Sequence, residues 1–466
     1  MEEVTYRCRT VHPLTGNAMV FTGLLVDAHL DETVLRQTAA QLVKAWPALG
    51  GQLHWVDLIP SPSARLSISK VERSPKMQPW KRGILQSREC TQPTIIDSLN
   101  PEELDDTLIF DVPDTPANVF LIRVTLLQGA TLLCFGISHH LADGTAAFDV
   151  IGAYCDLLAG RPIPSLLLPP DARGQRMSDR VILNDQQERS LPSITYAEHL
   201  ANFTVIFWRI LLLIARVVWN LLLRKLCLEE TLEERFIYLP HDWVGAMRKG
   251  VLDTLAIMPV HPQPLWDDQP TRNNIINAWF LKTVYCALPR SKATMYFYGP
   301  LSYRPVIEPP PQGTYWIHNS VGLMQQKLSV AQIQDEPLAL LAGRLRLATL
   351  RYTSPASIQS FLRMCEDYAS QQLLPSVPSL GRMPMVMVTT WTGFDFSCLD
   401  FSGAACNRTQ PARVLFVNPL VRSMRQGVWP SAYTLKCTQG GGYWMRAWNT
   451  PSGWKNFSQL VDVNVL

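Results

Sequence analysis

Two adjacent histidines, His139 and His140, are followed closely by Asp143 and Gly144 in the stretch GISHHLADGTAAFD, residues 136–149. A neutral imidazole takes up a proton near physiological pH, which suits it to remove a proton from an alcohol or an amine. On residue type alone either ring could be that base. Asp143 can brace the turn through an ion pair, and Gly144 permits a tight reversal of the chain. No G-x-S-x-G elbow occurs and the cysteines form no CxxC pair, so a serine-hydrolase elbow, a zinc site and a thioredoxin-like motif are set aside.

The surrounding elements must hold that stretch in place. Two strand-like runs, 119–127 and 131–138, flank a turn at Gly129 and lead directly into it. After it Phe148, Ile151, Cys155 and Leu158 form an apolar helical stripe, with Gly160 placed to end the helix. The histidines therefore sit at a strand–turn–helix junction, where side chains project from a sheet edge. Upstream, Asp31 caps a helix whose face carries Leu35, Ala39, Leu42 and Trp46 and which stops at Pro47. In the second half the pattern predicts a helix over 274–288, a strand over 294–304, and two helices within 335–371. The first of these two opens at Asp335 with Pro337 in its first turn. Strands at 385–391 and 413–417 follow, then a hairpin turning on Gly440, Gly441 and Gly442. Helices and strands mix without βαβ alternation, so the fold class is α+β.

At 466 residues, 47% hydrophobic and 17% charged, the chain has material for two domains. The division reads as 1–172, a crossover over 173–240, and 241–466. A net charge of +3 with no basic stripe excludes nucleic acid as a partner. The first residues lack the apolar core of an export signal, so a reducing, cytoplasmic setting with free thiols is expected. Within the crossover, residues 203–223 are long and apolar enough to span a bilayer, yet Asn202, Arg209, Arg216 and Asn220 share one narrow stripe. Arginines at mid-span are costly, which favours a helix lying on a membrane surface. Membrane association is expected, with lying on the surface and spanning both left open and a core-docked helix as the plain alternative.

The motif SHHLADG resembles the H-x-x-x-D-G signature of BAHD-type CoA-dependent acyltransferases, relatives of chloramphenicol acetyltransferase and of condensation domains. Five further segments match in order. The helix ending in WPALGGQL resembles the family's first helix, NNIINAW its second-domain helix, LSYRP its arginine strand, and YWIHNSVG its Y-x-G-N segment. VTTWTGFDFSCLDFSGA resembles the T-S-W strand and the D-F-G-W-G turn after it. The wording is most similar to fungal secondary-metabolite O-acetyltransferases.

The resemblance implies two chloramphenicol-acetyltransferase-like domains of mixed sheets flanked by helices, with the active site in a tunnel between them. The family's base lies four residues before the aspartate, which implies His139 and makes His140 a variable position. It implies that Asp143 is structural and points to Arg304, that Gly144 is the motif glycine, and that Thr389, Trp391 and Asn319 line the acceptor or oxyanion pocket. Asp400 and Phe401 keep the start of the motif turn, whereas Ser402, Gly403 and Ala404 depart from it, and His318 stands where the family has glycine. The co-substrates implied are an acyl-CoA, acetyl-CoA first, and a small-molecule alcohol. The enzyme is expected to be a monomer with no bound cofactor and no metal. Two rivals remain: an amide-forming, condensation-like enzyme and a non-catalytic ligand-binding relative.

Overall fold

The structure is a computed structural model. It describes residues 6–7, 18–54, 57–59, 65–70, 77–99, 117–127, 129–167, 169–183, 191–203, 215, 218–219, 222, 231–258, 269–285, 290–370, 385–407, 411–422 and 430–457. In chain order the principal elements begin with strand β1 (Met19–Val26), helix α1 (Glu32–Ala45) and strands β2 (Arg65–Lys70), β3 (Thr94–Ile95), β4 (Phe120–Leu127) and β5 (Ala130–Ser138). Helix α2 (Gly144–Leu158) closes this group. After the crossover come β6 (Glu233–Leu239), α3 (His241–Ile257), α4 (Arg272–Tyr285), β7 (Thr294–Ser302), β8 (Val321–Ser329), α5 (Leu338–Tyr352) and α6 (Pro355–Ser370). The chain then adds β9 (Met385–Thr390), β10 (Val414–Arg422), β11 (Ser431–Lys436) and β12 (Tyr443–Asn449).

These strands form two mixed sheets. The first runs β10-β1-β5-β4-β2 and the second β8-β7-β9-β11-β12-β6-β3. In the first sheet β4 and β5 pair antiparallel from Phe120–Ile137 to Leu127–Ala130, and Gly129 takes the positive φ that so short a connection needs. Helices α1 and α2 cover this sheet, joined where the Tyr154 hydroxyl donates to the Leu35 carbonyl at 2.8 Å. The α1 cap is as expected: Asp31 Oδ1 accepts from the amides of Thr33 and Val34, and Leu35, Ala39 and Leu42 are buried.

The second sheet shows why its strands carry apolar side chains on both faces. Along β6, Phe236 and Tyr238 enter the core shared with the first sheet, while Ile237 and Leu239 enter the core under α3, α4 and α5. Period-two alternation sends successive side chains to opposite faces, and both faces here are covered.

Four sequence expectations change. Strand β10, expected with the second half, pairs with β1 and extends the first sheet. Conversely β3, from the first half, pairs with β6 at the edge of the second sheet. The crossover read as 173–240 ends in a sheet strand, β6, and its earlier part packs on the second half: Met177 and Val181 share a core with Tyr303, Ile307 and Phe361. Asp335 ends a short helix, Val330–Asp335, and Pro337 caps α5, because a proline at that point cannot continue the preceding helix. Strand periodicity fixes which side chains share a face but does not name the neighbouring strand, and this accounts for the two exchanges.

The run 203–223 lies outside the described residues except for Phe203 and positions 215, 218, 219 and 222, where Val218, Trp219 and Leu222 are exposed. Among the described residues no helix is long and apolar enough to cross a membrane. The described cysteines Cys90, Cys134, Cys155, Cys365, Cys398, Cys406 and Cys437 are free thiols.

Candidate active site

His139 begins the turn that leaves β5. Its amide donates to the Ala18 carbonyl at 2.9 Å, and the amides of Leu141 and Ala142 fold back onto the Ser138 carbonyl. The side chain of His139 is half-buried, whereas His140 is buried. Loss of water around the His139 ring lowers its pKa below the usual histidine value. The negative charge of Asp143 and the carbonyls of His139 and Ala142 act in the opposite direction but are the smaller effects. The ring is therefore a neutral base at neutral pH.

Asp143 occupies the N-cap of α2 with extended backbone. Its Oδ1 accepts from the Ala146 amide at 2.8 Å and from Arg304 Nη2 at 3.0 Å, and its Oδ2 accepts from the Ser320 amide at 2.8 Å. With both oxygens occupied and the side chain 1% exposed, the carboxylate is committed to structure. Arg304 spends the same Nη2 on the His318 carbonyl as well.

Asn319 lies beside the base. Its Nδ2 donates to the His139 carbonyl at 2.6 Å and lies 3.2 Å from His139 Nδ1. Asn319, implied as a pocket residue, therefore lies directly against the base. For Nε2 to be the basic nitrogen, Nδ1 must carry the ring hydrogen, which the carbonyls of His139 and Ala142 can accept; Asn319 Nδ2, itself a donor, is spent on the His139 carbonyl.

Trp391 is buried against Gly144: a β-carbon added to the glycine would stand 3.2 Å from the indole and 3.3 Å from Phe394. Phe148, Trp391, Phe394 and Phe396 stack into an aromatic wall between α2 and the end of β9. Thr389, half-buried, sits two residues before Trp391 and in register with Tyr433 of β11. Asp400 and Phe401 lie elsewhere. Asp400 Oδ1 accepts from the Ser402 amide at 2.9 Å, Phe401 is buried, and a β-carbon on Gly403 would stand 2.0 Å from the Leu158 carbonyl oxygen. Leu158 is the far end of α2, a helix of 15 residues, so this turn is about 20 Å from the base.

Sequence reasoning missed Tyr303, Ser320, Asp171 and the pair Asp149–Tyr315. The Tyr303 hydroxyl donates to the Asn319 carbonyl at 2.9 Å, and that of Tyr315 to Asp149 Oδ2 at 2.7 Å. Burial raises the Asp149 carboxyl above its usual range. Tyr315 also stacks on Trp46 with ring centroids 5.4 Å apart. These partners are far apart in the chain and carry no local spacing signal.

No protein-family model matches the chain. It is 32% identical to acetyltransferase PeniE of Penicillium patulum, over 99% of this chain and 98% of that one. Among solved structures it resembles TRI101 of F. graminearum, in complex with coenzyme A and deoxynivalenol, with TM-score 0.65 and 12% identity over 98% of this chain and 97% of that one. Vinorine synthase superposes with TM-score 0.59 at 14% identity, over 99% of this chain and 95% of that one. With a full-length relative at this identity, and with its two mixed sheets meeting at His139, the chain belongs to the BAHD-type family of CoA-dependent acyltransferases.

Proposed function

We propose that the chain transfers an acetyl group from acetyl-CoA to a hydroxyl of a small fungal secondary metabolite, a terpenoid, meroterpenoid or polyketide alcohol. PeniE, an acetyltransferase similar over its whole length, and TRI101, solved with coenzyme A and deoxynivalenol, support that choice of co-substrates. The observation that carries the reading is the state of His139, a neutral, half-buried ring beside backbone carbonyls that can hold the hydrogen on Nδ1, with Asp143 fully occupied elsewhere. In this reading Nε2 takes the proton of the acceptor hydroxyl and the alkoxide oxygen attacks the thioester carbonyl. The tetrahedral intermediate then collapses, the C–S bond breaks, and the imidazolium returns its proton to the departing thiolate. The Thr389 hydroxyl is our choice for the group that holds the oxyanion. Trp391 shapes the wall behind it.

The two lobes are formed largely by 1–172 and 241–466, apart from the exchanged strands and β6, and we read the enzyme as a monomer in the cytoplasm. The decisive experiment incubates purified protein and a His139→Ala variant with labelled acetyl-CoA and pooled fungal terpenoid and polyketide alcohols. Label reaching products only with the intact histidine is expected. Equal transfer by both proteins removes His139 as the base, and transfer only from longer acyl-CoAs removes acetyl as the donor.

A membrane surface is the second element of the proposal. Ile182, Leu183, Val218, Trp219 and Leu222 are exposed apolar residues in or beside the crossover. Co-sedimentation with phosphatidylserine vesicles is expected, and it should weaken in Trp219→Ser and with added salt. Protein that stays in the supernatant with every vesicle overturns this part.

A further inference from the structure

A buried line of polar side chains runs from Asp171, just before the crossover, to the segment that holds the 139–143 turn. Asp171 opens the short turn Asp171–Arg173, and its Oδ2 stands 3.4 Å from Nε2 of His318. The other ring nitrogen, Nδ1, is 2.9 Å from Ser320 Oγ. His318 and Asp171 are 8% and 7% exposed. A carboxylate only accepts, so Nε2 is the donor, and the Ser320 hydroxyl, which can donate or accept, meets Nδ1. The imidazole thus satisfies both neighbours at once.

The three residues 318–320 hold both ends of the 139–143 turn. The Ser320 amide donates to Asp143, Asn319 Nδ2 donates to the His139 carbonyl, and the Asn319 carbonyl accepts from Tyr303. Asn319 Oδ1 is buried and has no hydrogen-bond partner among the described residues. The amide is therefore held from one side only, and its aim depends on where the backbone of 318–320 is pinned.

We infer that His318 and Asp171 are positioning residues for the reaction at His139. They hold the 318–320 segment so that the Asn319 amide meets the His139 carbonyl and fixes the turn that carries the ring. The role rests on the acyl-transfer reading above, but the geometry it describes can be measured without turnover.

The test compares the natural protein with His318→Gly, His318→Gln, Asp171→Ala and Asp171→Asn. A glutamine carries an acceptor oxygen and a donor nitrogen at nearly the spacing of the two ring nitrogens, and asparagine keeps an acceptor for Nε2. Iodoacetamide alkylates accessible imidazole, and peptide mass spectrometry gives both its rate at His139 and the ratio of Nε2 to Nδ1 product. In His318→Gly and Asp171→Ala the ratio is expected to fall, with kcat reduced about tenfold and KM for acetyl-CoA unchanged. His318→Gln and Asp171→Asn restore most of both. Equal alkylation rates and ratios in all folded proteins overturn the inference, as does an equal loss in the conservative pair. If His318→Gly does not fold, the Asp171 pair carries the comparison. Altered alkylation in a chain that transfers no acyl group keeps the positioning role and removes the acyltransferase reading; acyl transfer with unaltered alkylation does the reverse.

Discussion

Arg304 places Nη2 3.0 Å from Asp143 Oδ1 across 161 residues of chain. The contact joins the N-cap of α2 to the segment that follows β7, and so joins the two lobes beside the base. The Arg304 side chain is 24% exposed and that of Asp143 only 1%, so the carboxylate is the member that suffers when its partner is removed. Arg304→Met is expected to cost about 3–5 kcal/mol, because it leaves a buried carboxylate without its guanidinium. Urea unfolding would measure this. A double-mutant cycle with Asp143→Asn should show strong coupling, and additive losses would mean that the two side chains act independently.

Asn319→Ala should lower kcat by about 10- to 100-fold and leave KM for acetyl-CoA nearly unchanged, since the amide touches His139 rather than the donor. Steady-state kinetics separate this from a pocket role. A rise in KM at constant kcat would return Asn319 to the pocket.

Burial holds the His139 pKa below its usual value, so the base form persists as the pH falls through 6.5. The acid limb of the kcat/KM profile should therefore have its midpoint below 6.5, as the ring takes up its proton. A midpoint at or above 7 contradicts this environment.

His199 provides a contrast, because burial pushes it down to about 4 although its Nε2 lies 3.1 Å from the Ser357 carbonyl. Between pH 6.5 and 4 the unfolded chain binds more protons at this site than the folded one. Stability is therefore lost as pH falls through that window, by about 3 kcal/mol from this residue. The fall in Tm over the window should be smaller in His199→Gln.

Gly403→Ala should destabilise the protein without altering the chemistry, because the added carbon would collide with the backbone of Leu158. A loss of about 1–3 kcal/mol with normal kcat in the surviving folded fraction is expected. A selective rise in KM for acetyl-CoA would instead tie the turn at Asp400 and Phe401 to donor binding.

What could be read along the chain was local. Hydrophobic spacing marked β4, β5, α1 and α2; the order of residues in HHLADG placed a base, an N-cap and a helix start; the ordered motifs pointed to the family. Each depends on contacts within a few residues, where the chain's own geometry decides what can touch. The tertiary structure alone decided the rest. It put β10 beside β1 and β3 beside β6, and it turned Asn319 toward His139. It also brought Asp171, His318 and Ser320 into one line. These pairings join residues distant in the chain, and alternation along a strand is the same whichever neighbour it meets. Only packing the two sheets against a shared core settles which buried donors and acceptors lie within reach of one another, and therefore which residues surround the base.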